Sequence, residues 1–332
     1  VANSLGIGGT SHTMTSSHGT GCAGLSAGRN FGLAFEANIW TISIFAPANI
    51  ATEACYDAIK IFHQNKPITA GRKNPTVVNG SWGYYAGFNS GTQVYYSFKG
   101  SEGNFTGYNS SSTGVQALAY GLGNGSVYDK HFATSSRSNS IETAGDEMSA
   151  AGVIFVTSAG NNNQRLGIGS DDPHINDYLT TLNSGDSRAG IPNGTGATCP
   201  SGHRNWIHPS NVGFDHVNDI HPAICVGAMD DTIEQSYAGY EHELYAEMKA
   251  SYSNNGPGVD VWAPADETLS AGMRASDGDG LPNDINYSRY NSDFVDMYFN
   301  GTSAASPVVA GSVALFLESK PDATSGEVKE FL

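Results

Sequence analysis

The segment at residues 300–307 places a serine where it could act as a nucleophile. Ser303 lies between small residues, Gly301 and Ala304, that leave room for a substrate, and a long apolar helical pattern follows it. At a helix N-terminus the backbone N–H groups lack partners and the dipole is positive, which favours negative charge on a substrate oxygen. Pro307 is tolerated in the opening turn, where its missing N–H costs little. An ordinary Ser/Thr N-cap on a buried helix is the alternative interpretation.

His18 and Asn161 could supply what a serine nucleophile needs, because the hydroxyl is unreactive without a base and without donors for the oxyanion. His18 lies in a glycine-flanked turn before a helix of small residues, which would fix the imidazole and leave space for a substrate. Asn161 ends a buried strand, and its side-chain amide could point at the oxyanion. A capping or surface histidine and a turn-forming asparagine are the alternatives.

A second strand end could bind the substrate itself. Gly80, Ser81, Trp82 and Gly83 follow an apolar run, and their backbone N–H and C=O groups could pair with an extended peptide. An ordinary turn at the end of a strand is the alternative.

An acidic loop at residues 277–284 has the chemistry of a calcium site. Asp277, Asp279 and Asp284 supply carboxylates, and the glycines between them allow a tight wrap of the kind that suits Ca²⁺. The loop lacks the closing glutamate of an EF-hand, and a solvated acidic turn is the alternative. We expect no cofactor for the chemistry itself.

Strand and helix patterns alternate along the chain and would position these residues. The alternation predicts an α/β fold, a three-layer sandwich with a mostly parallel central sheet and helices on both faces. Ligands bind such sheets at the carboxyl ends of the strands, so the turns near Asn161 and Gly80 should share one rim. Strands are predicted at 37–45, 75–83, 152–161, 222–228 and 259–264, and helices at 25–28, 53–64, 141–151, from the serine segment to 317, and at 326–332.

The remaining stretches lack a clear period. Residues 84–139, 162–218 and 266–299 are rich in glycine and polar residues and are predicted to be loop insertions in a single domain, 1–332.

Charge and cysteine usage narrow the range of partners. The chain has 32 acidic and 16 basic residues and a net charge of −16, which argues against nucleic acid or an anionic membrane surface as a partner. No apolar run approaches the length of a membrane span.

The cysteines have no metal-ligand spacing, so zinc is not expected, and three of them have apolar neighbours that predict buried thiols. These three are Cys22, Cys55 and Cys225, and the fourth is Cys199.

Together these segments resemble the subtilisin-like serine proteases, the subtilases of peptidase family S8. His-Gly-Thr-x-x-Ala-Gly, Asn-x-Ser-Trp-Gly, Ser-Ala-Gly-Asn and Gly-Thr-Ser-x-Ala-Ser-Pro-x-Val-Ala-Gly occur in the order typical of that family, and residues 253–264 are similar to its segment before the serine. The resemblance implies a subtilisin-like serine endopeptidase that acts on polypeptides through an acyl-enzyme. Ser303 would be the nucleophile, His18 the general base and acid, and Asn161 the oxyanion donor, with residues 80–83 in the substrate cleft. It also favours secretion, with a viral or other multi-protein particle as the alternative.

One departure concerns the catalytic aspartate. The family carries it a few tens of residues before the histidine, in an Asp-Ser/Thr-Gly turn, and nothing acidic precedes His18. Disabling that carboxylate in a serine protease lowers the rate by about 10⁴. We expect the aspartate on an N-terminal segment before Val1, or on another chain that associates with this one. The alternative is a catalytically degenerate subtilase fold that acts as a structural or binding component of a larger assembly.

Overall fold

The computed structural model describes residues 18–42, 51–83, 139–161, 166, 222–230, 248–266, 268–272 and 295–332, with strands at 85–88, 93–98, 101–106, 132–135 and 284–285. The helices are α1 His18–Ala27, α2 Thr52–Gln64, α3 Asn139–Ala150, α4 Thr302–Ser319 and α5 Ser325–Phe331. The first eight strands are β1 Ile68–Thr69, β2 Arg72–Lys73, β3 Val77–Gly80, β4 Tyr85–Phe88, β5 Gln93–Phe98, β6 Ser101–Thr106, β7 Phe132–Ser135 and β8 Ile154–Ser158. The others are β9 Ile224–Asp230, β10 Met248–Lys249, β11 Val261–Pro264, β12 Thr268–Gly272, β13 Asp284–Ile285 and β14 Val295–Phe299.

The central sheet is mostly parallel. Strands β3, β8, β9 and β11 pair in that order and in parallel, while the short β10 pairs antiparallel with the end of β9. Ile154 and Val156 of β8 pack into a core shared with α1 and α4, and Phe155 packs into a second core shared with α2 and α3. Side chains that alternate between two covered faces are typical of parallel sheets. The predicted α/β sandwich with helices on both faces is confirmed.

Glycines bring α1 directly onto its neighbours. A Cβ atom on Gly24 would lie 2.7 Å from the backbone nitrogen of Ala271, next to the Ser270 hydroxyl, and one on Gly311 would lie 2.7 Å from the carbonyl oxygen of Ser26. The Ser270 hydroxyl also donates a 2.6 Å hydrogen bond to the carbonyl of Gly21. Strand β12 and helix α4 therefore contact the backbone of α1 directly.

The strand predicted at 37–45 does not occur in its described part, residues 37–42. Ile39 and Trp40 are 50% and 71% exposed, and the Trp40 ring lies 5.1 Å from that of Phe62 on α2. A strand needs a neighbour that accepts its backbone hydrogen bonds. No strand among the described residues pairs with residues 37–42, so this apolar run has no such partner. Residues 43–45 lie outside the described part.

Two of the predicted loop insertions contain strands. Residues 84–139 include the antiparallel pairs β4–β7 and β5–β6, and residues 266–299 include the sheet β12–β14–β13. The loop prediction was wrong there, because short strands rich in Gly, Ser and Asn show no clear alternation of polar and apolar residues. The third predicted insertion, 162–218, lies outside the described residues except for Leu166, and the single-domain assignment stays a prediction.

The predicted buried thiols are confirmed at three positions, since Cys22, Cys55 and Cys225 are free and buried, and Cys199 lies outside the described residues. None of the described helices combines the length and the apolar character that crossing a bilayer requires.

Two glycines of α1 provide a matched test of this packing. Gly24→Ala should lower the free energy of unfolding by about 1–3 kcal/mol, because the new methyl group meets the backbone of β12. Gly19→Ala, whose Cβ would meet nothing within 4 Å, should leave stability unchanged or raise it by up to about 1 kcal/mol. Urea unfolding measures both, and equal stabilities for the two variants would contradict the packing described here.

Candidate active site

Ser303 is the second residue of α4 and is partly exposed. The helix begins after Gly301, whose φ of 88° and ψ of 170° lie in a region reserved for glycine. The Ser303 hydroxyl donates to the carbonyl oxygen of Ser81 at 3.3 Å, and the Ser81 hydroxyl donates back to the carbonyl of Ser303 at 3.1 Å. The first turn of α4 is therefore tied to the end of β3, the segment predicted to bind substrate.

Asn161 is held beside the same helix start by its amide oxygen. Its Oδ1 accepts hydrogen bonds from the backbone N–H of Thr302 at 2.9 Å and from the Thr302 hydroxyl at 2.8 Å. The Thr302 hydroxyl in turn accepts the N–H of Gly160 at 3.1 Å. Asn161 is exposed, and its Nδ2 lies 3.0 Å from where a Cβ of Gly301 would be. With Oδ1 occupied, Nδ2 is the group of Asn161 that can donate to a ligand.

The opening turn of α4 supplies a second donor. The N–H groups of Ala304 and Ala305 both point to the carbonyl of Gly301, at 2.8 and 3.4 Å. The N–H of Thr302 binds Asn161, whereas that of Ser303 has no acceptor among the described residues. Two N–H donors that converge beside a hydroxyl can stabilise an oxyanion.

His18 is the first residue of α1 and reaches the same corner through Cys22. The Cys22 sulfur lies 3.9 Å from His18 Nδ1 and 3.7 Å from the carbonyl oxygen of Ser303. The His18 ring stands edge-on to Phe299, with centroids 5.2 Å apart. Desolvation of the ring lowers the pKa of His18 from its usual value, which favours the neutral imidazole that can accept a proton. Burial raises the pKa of Cys22 to about 11, so it remains a thiol.

The predicted substrate segment leaves the sheet next to Ser303. Gly80 and Ser81 are buried, while Trp82 and Gly83 are partly exposed, and the Trp82 ring packs 6.1 Å from that of Tyr56. The predicted nucleophile, base, oxyanion donor and substrate segment thus lie at one corner of the structure.

Several residues that hold this corner together were not singled out from the sequence. Asn79 accepts a 2.7 Å hydrogen bond from the Ser306 hydroxyl and donates a 2.9 Å bond to the Ser81 hydroxyl. Tyr252 and Asn254 bind the backbone on either side of the site. A polar Ser-Asn-Asn-Gly run at 253–256 signals a turn, and nothing in its spacing indicates what that turn contacts.

The calcium prediction lies outside the described part of the chain. Positions 277 and 279 are not described, and of Asp284 only the backbone pairing of β13 is known. Among the described residues, no group of three or more His, Cys, Asp or Glu side chains gathers in a way that could hold a metal ion.

Comparison with known proteins identifies relatives across most of the chain. The family model described as the subtilase family, peptidase S8, matches residues 8–332. An extracellular protease of Xanthomonas campestris pv. campestris is 41% identical over 87 residues, which are 26% of this chain and 13% of that protein. The serine protease AprX of Bacillus subtilis is 36% identical over 115 residues, 33% of this chain and 23% of AprX. The aligned region therefore spans less than a quarter of either curated relative.

Solved structures show the fold alone. Fervidolysin from Fervidobacterium pennivorans, described as a keratinolytic enzyme related to subtilisin, aligns with a TM-score of 0.51 at 20% identity, over 96% of this chain and 32% of that one. The S41 psychrophilic protease aligns with a TM-score of 0.50 at 18% identity, over 98% of this chain and 71% of that one.

Gly301→Ala tests the geometry of the helix start. The substitution should lower the free energy of unfolding by about 1–3 kcal/mol, because alanine disfavours this backbone conformation and its methyl group would press on Asn161. Gly326→Ala in α5 is the control, since its Cβ would have no neighbour closer than 3.9 Å. Thermal unfolding compares the two, and an equal effect of both substitutions would contradict the described turn.

Proposed function

The chain belongs to the subtilase family, and we propose that it is a serine endopeptidase that hydrolyses peptide bonds through an acyl-enzyme on Ser303. One observation carries this proposal. The partly exposed Ser303 lies in the first turn of α4, next to Thr302, which is hydrogen-bonded to Asn161. On its other side lies the start of α1, where Cys22 contacts both His18 and the carbonyl of Ser303.

His18 acts as the base and then as the acid. The neutral imidazole accepts the proton of the Ser303 hydroxyl as the oxygen attacks the substrate carbonyl, and it then donates that proton to the leaving amine. Water repeats the sequence on the acyl-enzyme. The lowered pKa of His18 favours the neutral base at pH 7. In the free protein the Ser303 hydroxyl donates to Ser81, so substrate binding must redirect it.

Asn161 and the first turn of α4 stabilise the tetrahedral intermediate. Its oxyanion accepts hydrogen bonds from Asn161 Nδ2 and from the N–H of Ser303, donors that a substrate carbonyl can use without displacing an existing partner. The peptide lies extended along residues 80–83, where backbone groups pair with it as a neighbouring strand would.

The imidazolium needs a carboxylate that is absent from the sequence before His18. Cys22 lies on the Nδ1 side of the ring but is a neutral thiol. We propose that an aspartate on an associating segment or chain supplies the charge. Among the described residues β3 pairs only with β8, so its other edge, which leads to Ser81, offers such a segment a place to pair. A second candidate, a subtilase-fold scaffold or binding component without turnover, applies if no carboxylate reaches Nδ1 of His18, where the thiol of Cys22 lies.

Two further proposals concern the compartment and a metal ion. The name of the Xanthomonas relative supports secretion, and the acidic loop at residues 277–284 supports a structural calcium ion.

Covalent labelling separates the two candidate functions. A fluorophosphonate probe should label the protein at Ser303, and Ser303→Ala should abolish labelling and peptide hydrolysis. Ser319→Ala, at the exposed end of the same helix, should leave both unchanged. A folded full-length protein that is never labelled would leave the scaffold as the function.

The pH dependence of kcat/KM tests the role of His18. The deprotonated imidazole is the base, so activity should be present above its pKa and lost as the pH falls through it. Desolvation disfavours the charged ring and lowers that pKa from its usual value, which moves the acid limb to lower pH. A carboxylate at Nδ1 would stabilise the imidazolium, raise the pKa, move the acid limb to higher pH and increase the rate by about 10⁴. A kcat/KM that shows no fall toward acid pH would contradict the role of His18 as the base.

A further inference from the structure

The turn at residues 250–258 reaches both halves of the candidate site. We propose that Tyr252 and Asn254 are positioning residues that set the distance between the oxyanion donor Asn161 and the nucleophile Ser303. This inference rests on the function proposed above and adds to it two side chains, neither of which belongs to the motifs that identify the catalytic groups.

Asn254 fixes the end of β8, from which Asn161 projects. Its Nδ2 donates to the carbonyl oxygen of Ala159 at 2.7 Å, and its backbone N–H donates to the carbonyl oxygen of Gly160 at 2.8 Å. The two carbonyls immediately before Asn161 are therefore held by one residue. Asn254 is 0% exposed, so water cannot replace these bonds if they are lost.

Tyr252 fixes the start of α4. Its hydroxyl accepts the N–H of Gly301 at 3.1 Å and donates to the carbonyl of Ala265 at 3.4 Å. Burial and the nearby charge of Asp266 raise the pKa of Tyr252 to about 12, so the phenol keeps its proton at every pH at which a serine protease works. Gly301 lies two residues before Ser303, which places the nucleophile within reach of this restraint.

The turn at residues 250–258 is held in place by its own hydrogen bonds, so Tyr252 and Asn254 extend from a fixed backbone. The Ser253 hydroxyl accepts the N–H of Ala228 in β9 at 3.0 Å and donates to the carbonyl of Asn254 at 2.8 Å. The ammonium group of Lys249 donates to three carbonyls of the same turn. They belong to Ala250 at 2.9 Å, Ser251 at 3.4 Å and Ser253 at 3.1 Å. Tyr252 and Asn254 therefore extend from a stiff support in the central sheet.

The hydrogen bonds described for both side chains go to backbone groups rather than to the face where a peptide would lie. Their loss should therefore change kcat, which depends on the alignment of donor and nucleophile, and leave KM nearly unchanged. A role in stability alone would instead lower the amount of folded enzyme and leave the kcat of each folded molecule intact.

The experiment measures kcat and KM of the full-length protein with a chromogenic peptide. Tyr252→Phe should lower kcat by about 3- to 10-fold and Asn254→Ser by about 10- to 100-fold, with KM within about 2-fold. Tyr298→Phe and Asn65→Ser, at exposed positions, are the matched controls and should have no effect.

A second background separates positioning from general damage. Asn161→Ala alone should lower kcat by about 10²–10³, the range found for removing such a donor from a subtilisin. In that background each further substitution should cost less than it does in the wild type, because the Asn161 donor, whose distance from Ser303 the two residues set, is gone. Equal losses in both backgrounds, or unchanged kcat in folded variants, would overturn the inference and leave the proposed function intact.

Two further outcomes are informative. A wild-type protein that is neither active nor labelled at Ser303 would remove the proposed function, and the inference with it. If Asn254→Ser fails to fold, Tyr252→Phe, which deletes one oxygen atom, decides the question alone.

Discussion

Two hydrogen bonds from Thr302 to the Oδ1 atom of Asn161 join the end of β8 to the beginning of α4. These two hydrogen bonds have two effects on the site. They use the acceptor side of the amide, which leaves its N–H donors for a ligand, and they hold a strand and a helix that are 141 residues apart in sequence at a fixed distance. A parallel sheet brings the carboxyl ends of its strands to one rim. Specific hydrogen bonds such as these are needed to set the distance between the strand end and the helix start with the precision that catalysis requires.

The site also depends on glycines where α1 contacts its neighbours, because a side chain at these positions would keep the elements apart. Gly24 and Gly311 let α1 rest against β12 and α4 with backbone nearly touching backbone, and Ser26 and Ser270 are small enough to allow it. The close approach brings the first turn of α1, with His18 and Cys22, up to the first turn of α4. The same glycines that weaken a helix in isolation therefore permit the contact between two helix N-termini.

The sequence predicts the parts of the structure whose signal is local. The continuous apolar runs at β8 and β9 are buried, and the helical spacing of α2 and α4 places apolar side chains in the core, so pattern and structure agree there. Residues 37–42 have the same local signal but no strand pairing among the described residues, which no local pattern reveals. Roles such as those of Tyr252 and Asn254 depend on contacts with residues 49 and 95 positions away and leave no periodic trace.

In the proposed mechanism the groups of the site differ in how they act. The hydroxyl of Ser303, the two N–H donors proposed for the oxyanion and the strand end proposed for the peptide would all act through geometry and neutral hydrogen bonds. The imidazolium that forms during the reaction needs a negative charge beside it, which none of these neutral groups provides. A Cys22 thiol with a pKa of about 11 cannot supply it, since at neutral pH it carries no charge. Oxyanion donors and binding alone retain about 10³–10⁴ of rate enhancement in a serine protease. An efficient protease and an inert scaffold built on this fold would therefore differ chiefly by one carboxylate, while the packing that aligns the other groups would be the same in both.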